Sequence, residues 1–303
     1  MHLTLRQLQC FSAVAQNLSF TRAAEELHLT QPAVSMQVRQ LEHQTGIALT
    51  EQIGKQIHLT EAGEEVFRYA RSILLRVHEM DDVLNKMKGL AGGQLRIAAI
   101  SSANYFAPHL LGIFHQRYAD VRVSMDVTRQ QSVLKQVADN EVDMAIMGEP
   151  PDDMKVDAVA FMDNPLVIIA PPGHRLAKMK SIALNQLEKE VFLTRESGSG
   201  TRGAMLRYFR QNKLKLTTGM EMGSLEGIKQ AVQADLGLGL VPKGAIEIEL
   251  KLKKLVVLNV KGMPIKRHWH VVLHQGKRLS AAADAFKSLR VDEAQGLLAD
   301  RMR

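Results

Sequence analysis

Apolar positions near the start of the chain recur at helical spacing. Leu5, Leu8, Phe11 and Ala15 form one stripe of a helix that reaches about Gln16. Asn17 to Phe20 interrupt it, and Thr21 is placed to cap a short second helix that turns Ala23, Ala24 and Leu27 inward. The segment HLTQ turns the chain. Thr30 is placed to cap a third helix with Gln31 and Pro32 in its first turn, where the missing proline N–H is harmless. Val34, Val38 and Leu41 are its buried stripe, and Gly46 ends it. Two short helices crossing through a tight turn and packed by small alanines predict a helix-turn-helix. Residues 51–59, EQIGKQIHL, read as a hairpin with its tip at Gly54-Lys55, the shape of a wing.

A long helix is predicted from about Thr60 to Lys88, with Thr60 reaching toward the N–H groups of Gly63 and Glu64. Val66, Ala70, Ile73, Val77, Met80, Leu84 and Met87 alternate four and three apart along it. A single narrow apolar seam among Arg68, Arg71, Arg76, Glu79 and Asp82 calls for a partner, so the helix reads as a coiled-coil-like dimer element. GLAGG, residues 89–93, is a hinge-like boundary.

Beyond it strands and helices alternate. Strands are predicted at 94–100, 121–127, 142–147, 159–163, 166–170 and 191–194, with helices at 105–118, 131–139, 201–212 and 224–234 between them. LVVLNV and WHVVLH are late strands, and Ser280 caps a last helix. This order predicts α/β units with mostly parallel sheets. The expected domains are 1–60, a linker helix over 61–89, and 90–303 in two halves, about 92–163 with 266–295 and about 164–265, with a cleft between them.

Composition narrows the function. The chain has 303 residues, 46% hydrophobic and 23% charged, the balance of an ordinary soluble protein. No apolar run is long enough to span a membrane, and MHLTLRQLQCF lacks a signal-peptide layout, so a cytoplasmic location without membrane partners is expected. One cysteine, Cys10, excludes an internal disulfide and suits a small core residue. The net charge of +7 suggests nucleic acid, but residues 1–60 balance at zero: Arg6, Arg22, Arg39 and Lys55 against Glu25, Glu26, Glu42 and Glu51. Recognition of DNA must therefore rest on geometry rather than bulk charge.

LTLRQLQCFSAVAQNLSFTRAAEELHLTQPAVSMQVRQLE, closed by HLTEAGE at 58–64, resembles the DNA-binding unit of LysR-type transcriptional regulators. The likeness extends over essentially the whole chain. ISSANYFAPHLL, VADNEVDMAIMGEPP, DNPLVIIAPPGH, RESGSGTRGAM and GMEMGSLEGIKQAV bring it nearest to CbbR-type regulators of carbon-fixation operons. The resemblance implies a winged helix-turn-helix, a linker helix, and an effector domain of two Rossmann-like subdomains like a type 2 periplasmic binding protein. It implies double-stranded promoter DNA as partner, a homodimer or dimer of dimers, and a small-molecule inducer, a phosphorylated metabolite or NADPH for this branch. Three positions depart from the family pattern. Thr50 and Gln52 replace an apolar residue and an arginine of the wing, and Asp235 replaces a glycine.

In a helix-turn-helix the third helix enters the major groove. Gln31, Ser35, Met36 and Arg39 share its outer face. Gln31 suits adenine, Arg39 suits guanine or a phosphate, and Met36 can touch only a thymine methyl. Pro32 positions the helix start, and Thr21, Arg22 and Lys55 suit backbone contacts. In the α/β part, Ser101 and Ser102 open a helix after a strand, and Thr128 ends the next strand. RESGSGTR adds Arg195, Thr201 and Arg202 around two glycines, a loop suited to an anion. It lacks a Walker ending, so nucleotide hydrolysis is not expected. Ser197 and Arg195 serve equally well as turn and cap residues. The eleven histidines show no metal spacing, and His268 and His270 are expected on one exposed strand face. An exported solute-binding protein and a phosphate-handling enzyme are the competing classes. The first needs an export signal. The second needs paired carboxylates, an activated nucleophile or a metal cluster, and none stands out.

Overall fold

The computed structural model describes residues 3–54, 56–87, 93–151 and 154–289. They form two compact units. One holds the N-terminal 90 residues with the short stretch 139–141, and the other holds the remainder.

In the first unit α1 (Leu5–Asn17), α2 (Phe20–Glu26) and α3 (Gln31–Thr45) precede a hairpin of β1 (Thr50–Ile53) and β2 (Gln56–Leu59), then α4 (Glu61–Met87). Leu8, Phe11, Val14, Ala23, Ala24, Val34, Val38 and Leu41 make its core, together with Cys10, which is wholly buried. That burial raises the Cys10 thiol pKa against the pull of Arg6. Leu5 is 45% exposed and lies outside the stripe assigned to it. The rest of the stripe, Leu8, Phe11 and Ala15, is buried as expected, and Gln7, Cys10 and Val14 widen the buried face, with Thr4 and Gln7 tied into a capping box at the helix start. Two caps also differ from expectation. Ser19 rather than Thr21 caps α2, its hydroxyl accepting from the Arg22 N–H at 3.3 Å. Thr30 sits at the N-cap of α3 but makes no side-chain cap bond. Thr60 caps α4, accepting from Gly63 N–H at 3.0 Å while donating to the Ala48 carbonyl at 2.7 Å.

The second unit contains two five-stranded sheets. The first, in spatial order, is β4 (Val121–Thr128), β3 (Gly93–Ile100), β5 (Met144–Met147), β12 (His268–His274) and β6 (Val156–Asp163). The second is β11 (Val256–Val257), β7 (Leu166–Ala170), β10 (Leu238–Pro242), β8 (Val191–Arg195) and β9 (Thr217–Met222). Helices α5 (Ala107–Arg117), α6 (Gln130–Ala138), α7 (Gly200–Gln211), α8 (Leu225–Gln233) and α9 (Glu247–Lys251) fill the connections, and residues 281–289 form a last helix capped by Ser280. Leu95, Ile97 and Ala99 of β3 face one core with Phe106, Phe114 and Phe286, while Ala98 faces Val133 and Val137 of α6. That two-sided burial explains why these strands read as continuous apolar runs.

The sheets are mixed rather than mostly parallel. The pairs β3–β4, β3–β5, β8–β9 and β8–β10 are parallel. The pairs involving β12, and β7 with β10 and β11, are antiparallel. The chain leaves the first sheet by β6, enters the second by β7, and returns by β12. The arriving strands β7 and β12 run against the βα strands of the sheet each joins, whereas β6 runs with those of the first.

Candidate DNA interface and effector cleft

Helix α3 buries Val34, Val38 and Leu41 and turns the opposite face outward. Gln31, Pro32, Met36 and Arg39 are exposed there, and Ser35 is half-buried. Thr21 and Arg22 lie exposed on α2. Lys55 lies outside the described residues. The wing is held by Glu42 at the far end of α3. Its Oε1 accepts from Leu49 N–H at 2.8 Å, Thr50 N–H at 3.0 Å and the Thr50 hydroxyl at 3.2 Å. Thr50 is therefore a hydrogen-bonded anchor rather than a lost apolar one. Gln52 donates to the Gly54 carbonyl at 3.1 Å across the tip, where Gly54 adopts φ +64°.

The apolar seam of α4 divides. Val66 and Ala70 pack into the core of their own domain, with Ala70 wholly buried, and do not belong to a free seam. Ile73, Met80 and Leu84 are 42%, 54% and 43% exposed, and Val77 between them is half-buried. The Met87 side chain is outside the described residues. Tyr69, one turn before Ile73 and 65% exposed, extends the same stripe and was missed by the heptad count.

In the second unit the C-terminal ends of β3, β4 and β8 carry the predicted polar residues, as expected for ligand sites of such sheets. Ile100 pairs with Thr128, which sets Thr128 beside the start of the turn Ser101–Tyr105. That turn is 3₁₀, and the α-helix begins only at Ala107, so the serines do not open an α-helix. Ser102 and Thr201 are buried. Arg195 Nη2 donates to Ser101 Oγ at 3.4 Å, joining the two halves. Gly198, at φ +82°, lets the loop turn back toward Gln131.

Neither arginine of that loop is an open cation. Arg195 is gripped by both carboxylate oxygens of Glu196 at 2.7 Å. Arg202 donates to the Arg195 carbonyl at 2.9 Å and pairs with Glu221. Glu196 and Glu221 are neighbours of the loop that residue spacing left out. Residue spacing also left out Tyr105, a first-half residue that packs into the second half's core. Its hydroxyl lies 3.3 Å from Glu226, and the buried Lys229 ammonium sits 4.8 Å over its ring. Burial works to lower the Lys229 pKa, but Glu226 and Glu249, at 2.8 and 2.7 Å, outweigh it and raise it. The histidine pair also departs from expectation. A register shift between Trp269 and His270 breaks the alternation, leaving His268 exposed and His270 half-buried, its pKa lowered chiefly by burial.

Comparison with known proteins fits both halves of the chain. Residues 5–64 match the family described as bacterial regulatory helix-turn-helix protein, lysR family, and residues 88–295 match the LysR substrate binding domain. The chain belongs to the LysR family of transcriptional regulators. Within this LysR-family regulator's relatives, the RuBisCO operon transcriptional regulator of Allochromatium vinosum is 51% identical over 97% of both chains. The regulatory domain of CcmR from Synechocystis PCC6803, solved in complex with 2-PG, is 36% identical, with a TM-score of 0.65 over 68% of this chain and 99% of that one. Full-length OxyR from Pseudomonas aeruginosa, 22% identical with a TM-score of 0.76 over 98% of this chain and 96% of that one, shares the fold. No helix among the described residues is long and apolar enough to cross a membrane.

Proposed function

We propose that this LysR-family regulator controls carbon-fixation genes from promoter DNA in response to a small anionic metabolite. The observation that carries the reading is the 51% identity, over nearly the full length, to a RuBisCO operon regulator. The outer face of α3 supplies readout, with Gln31, Ser35 and Arg39 at base edges, and Thr21, Arg22 and Lys55 at phosphates. Met36 offers only an apolar contact.

Two copies joined along Ile73, Val77, Met80 and Leu84 of α4 place two reading helices on one site, and a dimer of dimers doubles this. The absence of net charge in residues 1–60 makes such multivalency necessary for useful affinity. The metabolite binds between the two sheets, near Ser101, Ser102, Thr128 and Thr201. The relative with bound 2-PG supports an acidic ligand of this kind. A ligand that favours one spacing of the halves shifts the population of DNA-bound arrangements. The protein works in the cytoplasm, with residues 1–60, 61–89 and 90–303 as its reading, joining and sensing parts.

The test is a gel-shift titration with the promoter DNA beside the protein's own gene, with and without 2-PG. A retarded complex whose affinity or mobility changes with 2-PG supports the reading. Indifference to that DNA at modest salt overturns it. Binding there, with no response at carbon-fixation promoters, favours control of another operon.

A further inference from the structure

Three arginines converge on the cleft. Arg195 is neutralised by Glu196, and Arg202 by Glu221. The third, Arg267, comes from the crossing segment that leads into β12. Its backbone accepts from Asn164 N–H at 2.7 Å, which fixes it beside the first crossing. Its guanidinium lies between the residue after β5 and the first turn of α7. Nη1 donates to the Gly200 carbonyl at 3.4 Å, in the first turn of α7. Nη2 occupies the space that a Cβ on Gly148 would fill, and lies 3.5 Å from where a Cβ on Gly200 would be.

These contacts set Arg267 at the strand ends. Gly148 directly follows β5, and continuing the β3–β5 register by two residues brings it beside Ser101. Gln130 Oε1 lies 2.8 Å from the same Gly200 Cβ position, and Gln131 lines the approach to Gly198. The missing side chains of Gly148 and Gly200 thus let the Arg267 guanidinium and the Gln130 amide approach close to the serine turn.

The charge around Arg267 is unbalanced. Among the described residues no carboxylate pairs with it, in contrast to Arg195 and Arg202. Its surroundings disfavour the charge through burial first and the neighbouring Arg207 second, with Glu149 acting the other way. A half-buried guanidinium with one weak carbonyl acceptor has unused donors in a fixed fork, which fits a carboxylate or phosphate in two-point contact.

We propose that Arg267 is the residue that reads the negative charge of the ligand in the cleft, in place of the two loop arginines. This rests on the reading that the cleft takes a small anion. Arg195 and Arg202 then shape the loop, and Ser101, Ser102, Thr128, Thr201 and Gln130 contact the remainder of the ligand.

The experiment is calorimetric titration of the full chain with 2-PG, on wild type, Arg267→Gln and Arg267→Lys, with thermal melts of each. Arg267→Gln should weaken binding by about tenfold or more, and Arg267→Lys by a smaller factor of about three or more, because lysine keeps charge but loses the fork. Inorganic phosphate should compete with 2-PG on the wild type. Wild-type affinity in a folded Arg267→Gln protein overturns the assignment. Should that variant melt early, wild-type affinity in Arg267→Lys overturns it equally. A wild type that binds neither anion fails the anion reading itself, and the role of Arg267 falls with it.

Discussion

Gly63 faces the carbonyl of Leu49 with no room between them. A Cβ on Gly63 would overlap the Leu49 oxygen and lie 2.9 Å from its carbon. The same oxygen accepts from the Thr60 N–H at 3.1 Å, so it cannot swing away without breaking the junction of wing and α4. Gly63→Ala should therefore destabilise the N-terminal unit by about 1–3 kcal/mol or more, despite alanine's better helix propensity. Urea unfolding followed by circular dichroism measures this. An unchanged or raised midpoint would contradict the close approach.

Glu42 holds the wing through a single oxygen shared by Leu49 and Thr50. Leu49 is wholly buried, so Glu42→Ala leaves its N–H without an acceptor and should cost about 2 kcal/mol. Glu42→Gln keeps an amide oxygen for the same donors and should retain most of the stability. Equal losses in the two variants would mean that the charge, not the acceptor, matters.

What the residue pattern revealed, and what it hid, follows from range. The helices of the first 60 residues were legible because their stripes and caps act within one or two turns. Leu5 is the exception because it is the first residue of α1, and apolar spacing does not show that the core stops short of the helix end. Ala70 was assigned to the dimer seam because a heptad count does not distinguish a partner helix from the helix's own domain. In the cleft the serines and glycines announced themselves by their position after strands. Glu221 and Arg267 did not, because their neighbours at Arg202 and Gly200 are 19 and 67 residues away. Gln130 and the antiparallel return of β12 belong to the same class of long-range facts.

Asp235 occupies a position built for glycine. It follows α8 at φ +59°, with Leu236 N–H bonded to the Ala231 carbonyl at 3.1 Å and its own N–H to Val232 at 3.0 Å. This is the Schellman closure of a helix, and its left-handed residue has a Cβ that crowds the backbone. Asp235→Gly should stabilise the effector domain by roughly 0.5–1 kcal/mol, since the relief in the folded chain exceeds the extra freedom of the unfolded one. A thermal melt reads the change, and a lowered midpoint would show that the aspartate side chain contributes more than its conformation costs.

Ile73 and Ala70 are one turn apart on α4 but should respond oppositely. Ile73→Asp places a carboxylate at a position 42% exposed in the single chain, so the fold should survive while association is lost. The expected result is a monomer on a sizing column with an unaltered circular dichroism spectrum. Ala70→Asp buries an unpaired charge in the domain core and should unfold the N-terminal unit. A dimer that persists in Ile73→Asp would place the interface elsewhere.

Arg39 stands exposed on the outer face of α3, on the side opposite Val34, Val38 and Leu41. If it reads a base edge, Arg39→Ala should weaken binding to the specific site by about 1–3 kcal/mol and relax preference at one base pair, with little change on unrelated DNA. If it holds a phosphate, the loss should be uniform across sequences, and the slope of affinity against salt should fall by about one. Base readout is the expected outcome, because residues 1–60 carry only three other cations and four acids, too few for phosphate contacts to supply the affinity. Gel shifts on the promoter and on scrambled DNA at two salt concentrations separate the cases. A uniform loss would move the sequence reading onto Gln31 and Ser35.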